Sequence, residues 1–589
     1  MRAYVLPTMA TLIYKRKGGR EYAYWVRSGR VNGKPRIVEQ VYLGPRDRVL
    51  DRIKAIYTGQ EVPERQPLKQ VSHKEFGASA VLWHWVEKLG LVEIVDRHVA
   101  QPSARYRTGL SVGRYLGLAA INRAIDPKSK RDFYEGWYHN SVLSRIWEAR
   151  ASEVSSQRFW DHMDQVEAEH IELIQQDVLS RLSELFPLGH ETVLYDTTNF
   201  FTFIDTFNNR TELAQRGANK QKRMDLRQLS LALFEDKETG LPLYHQCYAG
   251  NQADVKQFPL ALHEMLQQWM NALERPPEQL TLVFDRGSSS KANFEQLENR
   301  STHYVAGVPY TWAPELLEVG LDAFEKLSLP NTKHVKVYRT RRELCGKERT
   351  LLVVFSPTFY TKQRATQNLE QGKTEARLRE LSEAIAAWLQ TRRGKGHVEA
   401  SVRRKIRQWT AREHLRDFLN VDLKIEGSHV VELTWSWNLQ KKREVQRRYL
   451  GKQVLVTDRD DWDDVSVVAA YRRLTRTENL FRISKSRPGL WWPMFHWTDS
   501  KMKVHALYCF FALLLLSILQ KRLHETGFKI SVDRALQRLG EIQESLIVYA
   551  DASAERVLSN HDQGNSELAQ ALGLGDIAHQ LGTTVLDPA

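Results

Sequence analysis

Thr192-Val193-Leu194-Tyr195-Asp196 and Leu280-Thr281-Leu282-Val283-Phe284-Asp285 are two short apolar runs that each close on an aspartate. Runs of this length, rich in β-branched and aromatic residues and bounded by polar ones, read as buried strands. Between them, Leu229 to Phe234 and Leu241 to Tyr248 flank the turn Lys237 to Gly240 and read as two more strands. Val255 to Leu273 carries apolar residues at helical spacing, and after Asp285 another helix precedes the strand His303 to Val308. A three-strand meander followed by alternating helices and strands implies an α/β chain with a mixed sheet and helices on its faces.

Both aspartates are expected at strand ends, where folding alone explains them poorly, because Asp is depleted in strands. A third acid, Glu478, lies in the helical stretch YRRLTRTENLFRISK, Tyr471 to Lys485. Tyr471, Glu478 and Lys485 are seven apart and share one helical face. Carboxylates are hard oxygen ligands of the kind Mg²⁺ takes while keeping several waters. Two such ions, roughly 3.5–4 Å apart, can serve the attacking and leaving oxygens of a phosphodiester, and three carboxylates suffice to hold the pair. The competing reading is that each acid is a cap or turn residue; Asp205, Asp225 and above all Asp254 are rival ligands.

Composition narrows the partners. Lys and Arg number 85 against 71 Asp and Glu, a formal net charge of +14. That excess favours a polyanion, nucleic acid first. Three well-separated cysteines give neither a disulfide framework nor a metal-binding pair, which fits a reduced, intracellular chain. No signal-peptide pattern is visible at the N-terminus. The strongest apolar run, Ala506 to Leu519, falls short of the roughly 20 residues needed to span a bilayer and reads as a buried helix, so no membrane role is expected. No Walker-type phosphate loop appears, so no nucleotide cofactor is expected.

Six segments follow. Residues 1–74 hold sixteen Lys and Arg against six acids, with tyrosines and Trp25 interleaved, and read as a basic three-stranded sheet that contacts DNA. Residues 75–187 read as a mainly helical DNA-binding or linker region, and 190–309 as the first part of the catalytic core. Residues 310–457 break the rhythm with strands and a long basic helical stretch and read as an insertion. Residues 458–522 return to the core with the Glu478 helix and the buried helix, and 523–589 form an acidic helical tail.

These blocks resemble the DDE transposases of bacterial insertion sequences, in the IS-four superfamily branch with a Tyr-Arg-Glu-Lys signature. Tyr471, Glu478 and Lys485 fall on signature positions, whereas the Arg position holds Leu474; Arg472, Arg473 and Arg476 are nearby. YDTTNF (Tyr195 to Phe200) resembles the first-Asp motif and DRGSSSKANF (Asp285 to Phe294) the second, with GLPLYHQCYAGNQAD, ending at Asp254, similar to the segment between. The similarity runs from about residue 190 to 520.

The resemblance implies an RNase H-like core interrupted by a β-rich and helical insertion. It implies Asp196, Asp285 and Glu478 as ligands of two Mg²⁺ ions, with Mn²⁺ able to substitute. Tyr471 and Lys485 would contact the DNA backbone, with Arg286 and Arg476 as further DNA-facing cations. Trp435 and Trp437 are candidates to stack on a flipped base, and otherwise core residues of a strand. The implied activity is cutting of element ends and joining of the 3′-hydroxyls to target DNA. The expected partners are double-stranded DNA (terminal inverted repeats and target) and a second copy of the chain in a homodimer. The implied setting is the bacterial cytoplasm, at the nucleoid. A catalytically inactive DNA-binding derivative and a stand-alone RNase H-like nuclease are the alternatives.

Overall fold

The computed structural model describes all residues except 1–9, 18–19, 32–33, 59–67, 107, 190, 206, 220, 222, 330–331, 392, 394–395, 475–490, 492–493, 551–552, 560–562 and 586–589. By internal contacts the chain forms two units, one of Leu82–Trp137 with Trp147–Val532, the other of Met1–Val81, Tyr138–Ile146 and Asp533–Ala589.

The larger unit is built on a nine-stranded mixed sheet. Its centre comprises β1 (Thr192–Thr202), β2 (Arg227–Asp236), β3 (Pro242–Ala249), β4 (Thr281–Phe284) and β5 (His303–Gly307). β1, β2 and β3 form an antiparallel meander, and β4 and β5 add in parallel on the other side of β1. The spatial order is therefore β3-β2-β1-β4-β5. This is the mixed sheet expected from the sequence, and its order is consistent with an RNase H-like core. β6 (Glu325–Leu329), β7 (Thr332–Leu344), β8 (Lys347–Phe355) and, much later in the chain, β11 (Lys452–Thr457) extend the same sheet beyond β5, in the order β5-β11-β8-β7-β6. Between β8 and β11 lie the 35-residue helix Pro357–Thr391 and the hairpin of β9 (Leu419–Glu426) and β10 (His429–Trp437). These pack around a small core of their own, including Leu378, Leu381, Ile385, Val402 and Val430.

One strand departs from expectation. Asp196 does not close its strand: β1 continues to Thr202, hydrogen-bonded to β2 throughout, from Val193↔Asp236 to Thr202↔Arg227. The parallel pairing with β4, however, stops at Tyr195↔Phe284. Asp196 thus stands where β1 loses its neighbour on one side, which is why a strand tolerates an acid there. The polar residues Thr197 to Asn199 concealed the continuation in the sequence.

Alternation along the strands sorts side chains to two faces. On one, Tyr195 packs against Phe258 of helix Asp254–Leu273, with ring centroids 5.1 Å apart. On the other, Leu194, Val283 and Val305 form a core with Val467, Val468, Ala470 and Leu474, so helix Asp464–Arg472 covers this face at β1, β4 and β5. Helix Asp499–Glu525 lies on the same face at the meander, where Phe510 stacks on His245 of β3 at 4.8 Å. By length and composition this helix is the one candidate membrane span among the described residues, but 94% of its most apolar window is buried inside the protein. It is a core helix, as its sequence suggested.

In the smaller unit, strands Ala10–Lys17, Arg20–Val31 and Lys34–Pro45 form the expected antiparallel sheet, followed by helix Arg46–Tyr57. Tyr24 and Tyr42 pack at 5.3 Å, and Lys15 Nζ lies 5.0 Å from the Tyr24 ring. The C-terminal segment, expected to be helical, also contains strands Gln543–Tyr549 and Ala554–Ser559. The first pairs with Leu68–Glu75, a partner some 470 residues earlier that no local pattern reveals.

Candidate active site

Asp196 and Asp285 meet at one point of the sheet. Tyr195 is in register with Phe284 across the parallel pair, so the two aspartates are the next residues on neighbouring strands, which run about 4.8 Å apart. By the two-residue period both point to the face where Leu194 and Val283 lie, beneath the end of helix Asp464–Arg472. Asp196 is half-buried and Asp285 exposed, as a ligand-binding pair requires. The buried Tyr195 phenol behind them is pushed well above its ordinary pKa, first by burial and then by the charges of Asp254, Asp196 and Asp285.

The segment after Asp285 is held by bonds from nearly every residue in it. The Gly287 N–H donates to Asp285 Oδ1 at 2.8 Å. Ser289 Oγ donates to the Gly307 carbonyl at 2.6 Å, tying the loop to β5. Ser290 caps helix Lys291–Asn299 by accepting the Asn293 N–H. The Asn293 amide donates to the carbonyls of Ser288 (2.7 Å) and Val255 (3.1 Å), clamping the loop to the opposite helix. This is the physical content of the DRGSSSKANF block: it fixes the backbone that carries Asp285.

The rival acids have other tasks. Asp205 accepts the Phe207 N–H at 2.8 Å in a turn. Asp225 pairs with Arg223 at 2.7 Å, which holds its carboxyl down to about 2. Asp254 accepts the Tyr248 hydroxyl at 2.6 Å.

A groove of about 790 Å³ opens beside Asp285, lined by Arg286, Tyr310, Lys362, Tyr471 and Arg472 among others. Tyr471 is placed by Gly307: a methyl group on Gly307 would overlap the Tyr471 hydroxyl and sit 3.1 Å from its Cζ and 3.3 Å from the Arg286 nitrogen. The absent side chain on β5 thus lets the Tyr471 ring lie against the Asp285–Arg286 turn. Leu474, at the signature Arg position, is buried in the core beneath the helix and also lines the groove, so the replacement gives the groove wall an apolar side chain where the signature has a guanidinium. Arg472 lies in the groove, half-buried, and burial pushes its guanidinium below the usual value. Sequence reading named Arg472 only as a neighbour of the missing Arg; Tyr310 and Lys362 it missed, because their approach to Asp285 depends on strand order across β5, β11 and β8.

Glu478, Arg476 and Lys485 lie outside the described residues. Among the described residues no group of three or more His, Cys, Asp or Glu side chains is arranged to hold a metal ion. Trp435 and Trp437 are half-buried in β10; Trp435 packs against the small core of the 310–457 segment, and the Trp437 indole N–H donates to Glu375. Neither lines the groove at Asp285.

The family model of the transposase DDE domain matches residues 201–516, more than half of the chain, beginning five residues after Asp196 and including Asp285 and Glu478. No curated protein matches. Among solved structures, a piggyBac transposase synaptic complex with hairpin DNA aligns at 11% identity over 80% of this chain and 82% of that one, with a TM-score of 0.32. A Mos1 transposase paired-end complex with the left transposon end aligns at 13% identity over 36% and 62%, with a TM-score of 0.15. On the extent of the family match, the chain belongs to the transposase DDE domain family.

Proposed function

We propose that the protein is the transposase of a bacterial insertion sequence, cutting the ends of its element and joining the freed 3′-hydroxyls to target DNA. The observation that carries this reading is the side-by-side placement of Asp196 and Asp285 on parallel strands, on one face, with the groove of Tyr471 and Arg286 beside them.

The donor set fits a divalent cation. Two carboxylates at adjacent register positions, one exposed and one half-buried, offer hard oxygens of the kind a divalent cation takes. Asp196 and Asp285 would hold Mg²⁺, or Mn²⁺ in its place, and Glu478, on the continuation of the chain after helix Asp464–Arg472, would complete the set for two ions. The ions, when bound, supply Lewis-acid stabilisation of the attacking and leaving oxygens of a phosphodiester.

The chain's own residues do the rest. The Ser289, Ser290 and Asn293 bonds hold the Asp285 turn rigid, so that a carboxylate meets its ligand at a fixed angle. Tyr471 Oη donates to a phosphate oxygen of the strand in the groove. Arg286 and Lys485 position that strand by charge, and Arg472 does so from the groove wall. The basic N-terminal sheet, with Lys15 and its tyrosines, binds the duplex by charge. Two ends are brought together by a homodimer, in the bacterial cytoplasm.

The test is cleavage of a duplex bearing the inverted repeats that flank the gene. Metal-dependent cuts at the repeat boundary support the proposal. Binding without cutting points to a catalytically inactive derivative, and cutting without regard to the repeats points to a general nuclease.

A further inference from the structure

Asp254 opens helix Asp254–Leu273, which packs on the sheet face opposite Asp196, where its Phe258 meets Tyr195. Cross-strand partners share a face, so Thr197 of β1, Ala232 of β2 and Gln246 of β3 point toward this helix, as do Asn199, Ser230 and Tyr248. The middle strand places only the small side chains of Ser230 and Ala232 between Tyr248 and β1, which lets the Tyr248 ring cross β2. The Tyr248 hydroxyl donates to Asp254 Oδ1 at 2.6 Å, and the Thr197 side chain interacts with the same hydroxyl. Thr197 in turn donates its N–H to Asp196 Oδ1 at 2.8 Å. Asp254 therefore braces β1 at the residue that holds the Asp196 carboxylate.

The same helical turn holds the other acid. The Val255 carbonyl accepts the Asn293 amide at 3.1 Å, and that amide also donates to the Ser288 carbonyl at 2.7 Å, three residues after Asp285. Two bonded routes, one to each acid-bearing strand, thus start from the neighbouring residues Asp254 and Val255. The start of the helix is itself pinned. The Gly250 N–H donates to the Leu213 carbonyl at 3.0 Å, and the Gly250 carbonyl accepts the Gln228 amide at 2.6 Å. A Cβ on Gly250 would overlap the Gln228 carbonyl oxygen, so the loop lies directly against β2. The charges of Asp254, Asp196 and Asp285 all reach the buried Tyr195 phenol, that of Asp254 most strongly, which puts Asp254 close behind the pair. A helix dipole favours an acid in the first turn, but it does not call for a tyrosine from β3 that also meets β1.

We propose that Asp254 is a positioning residue for the Asp196–Asp285 pair, setting the separation at which the two carboxylates hold a divalent cation. This rests on the proposed function, which takes that pair to be a metal site. Asp254 stays outside the coordination sphere; it acts on Asp196 through Tyr248 and on Asp285 through the first turn of its helix. Loss of a group one step removed from a metal ligand typically costs about 10–100-fold in metal affinity or activity.

The test is Mn²⁺ binding by the full chain without DNA, read from the electron paramagnetic resonance signal of the free ion, beside cleavage of the repeat-bearing duplex over a Mg²⁺ series. Asp254→Ala and Tyr248→Phe should each weaken Mn²⁺ binding by roughly tenfold or more and raise the Mg²⁺ needed for half-maximal cleavage in proportion. The double variant should be no weaker than the worse single one, because both changes remove the same bond. Asp254→Asn, whose amide oxygen still accepts the Tyr248 proton, should recover most of the lost affinity. Glu264→Gln, which alters the partner of Tyr244 on the same helix, should leave Mn²⁺ binding unchanged. Tyr248→Phe reports on the same bond should Asp254→Ala not fold. Wild-type Mn²⁺ affinity in both Asp254→Ala and Tyr248→Phe, whatever their Tm, leaves Asp254 a helix-end acid only and overturns the positioning role. Asp254→Asn as impaired as Asp196→Asn makes Asp254 a ligand itself and also overturns it. Both outcomes leave the reading of Asp196 and Asp285 intact. No Mn²⁺ binding by the wild type, or binding that survives in Asp196→Asn and Asp285→Asn, overturns that reading and the positioning role together.

Discussion

Replacing Gly307 by Ala perturbs the site through a single methyl group. Gly307 is buried on β5, and its Cα faces the Tyr471 ring across from the Asp285–Arg286 turn. A Cβ there overlaps the Tyr471 hydroxyl, stands 3.1 Å from Tyr471 Cζ and 3.3 Å from the Arg286 nitrogen, the last two closer than ordinary van der Waals contact. Tyr471 is on a helix packed into the core by Val467, Val468 and Leu474, so the helix cannot simply move away. Overpacking of this kind costs about 1–3 kcal/mol, a fall in Tm of roughly 1–3 °C for a chain of this size. Part of the strain is relieved by rotating Tyr471 out, which removes its hydroxyl from the groove, so cleavage should fall as well. Gly372→Ala is the matched control: that glycine lies within helix Pro357–Thr391 with nothing within 4 Å of the added methyl, and the change should be neutral or stabilising by up to about 1 kcal/mol. Tyr471→Phe deletes the atom that meets the methyl first, so Gly307→Ala with Tyr471→Phe should be less destabilised than the sum of the two, by about 0.5–3 kcal/mol. Calorimetric Tm values for the wild type and the four variants decide it. An unchanged Tm in Gly307→Ala, or strict additivity with Tyr471→Phe, would refute the packing of Tyr471 against the catalytic turn.

Three other outcomes are expected. Asn293→Ala removes the amide that clamps Ser288 and Val255 and should lower cleavage by displacing Asp285, while Asn293→Asp, whose carboxylate offers two acceptors and no donor, should not restore it; kinetics at saturating Mg²⁺ provide the check. Deleting residues 1–57 removes the basic sheet and its helix but leaves strand Leu68–Glu75 paired; it should flatten the salt dependence of duplex binding, and an unchanged slope would remove that sheet from the DNA interface. Burial pushes the Glu75 carboxyl from 4.5 up to about 7, against bonds from the Ser79 hydroxyl and the Ser79 and Ala78 N–H groups. The folded chain therefore keeps a proton that the unfolded chain releases: this contribution to stability is complete below about pH 4.5 and lost as pH rises through 7. Glu75→Gln should flatten the stability profile across that window, as urea titrations at pH 5 and pH 8 would read.

Much of the central sheet was legible because its signals are local. Each apolar run from Leu229 to Val308 maps to a strand within a residue or two, and the helix over 254–273 follows its apolar spacing. The two aspartates drew notice because an acid that follows a buried apolar run has few structural uses. What escaped depends on long-range pairing. The continuation of β1 through Thr197 to Asn199 is set by ten residues of pairing with β2, not by local propensity. Tyr310 and Lys362 reach the groove only because β11, from late in the chain, inserts between β5 and β8. The strands of the C-terminal segment exist because Leu68–Glu75 supplies an edge. Leu474 read as a gap in a signature; in the fold it is a core residue, which the sequence could not distinguish from a lost function.

The central claim is that Asp196 and Asp285 form one metal-dependent DNA-cutting site. It is tested most directly by incubating the full chain with a duplex carrying its flanking inverted repeats, with and without Mg²⁺, beside the variants Asp196→Asn and Asp285→Asn. The account predicts cuts at the repeat boundary that leave 3′-hydroxyls, require Mg²⁺ and disappear in both variants, while all three proteins bind the duplex alike. Wild-type cleavage by either variant, or cleavage undiminished in excess chelator, would contradict it.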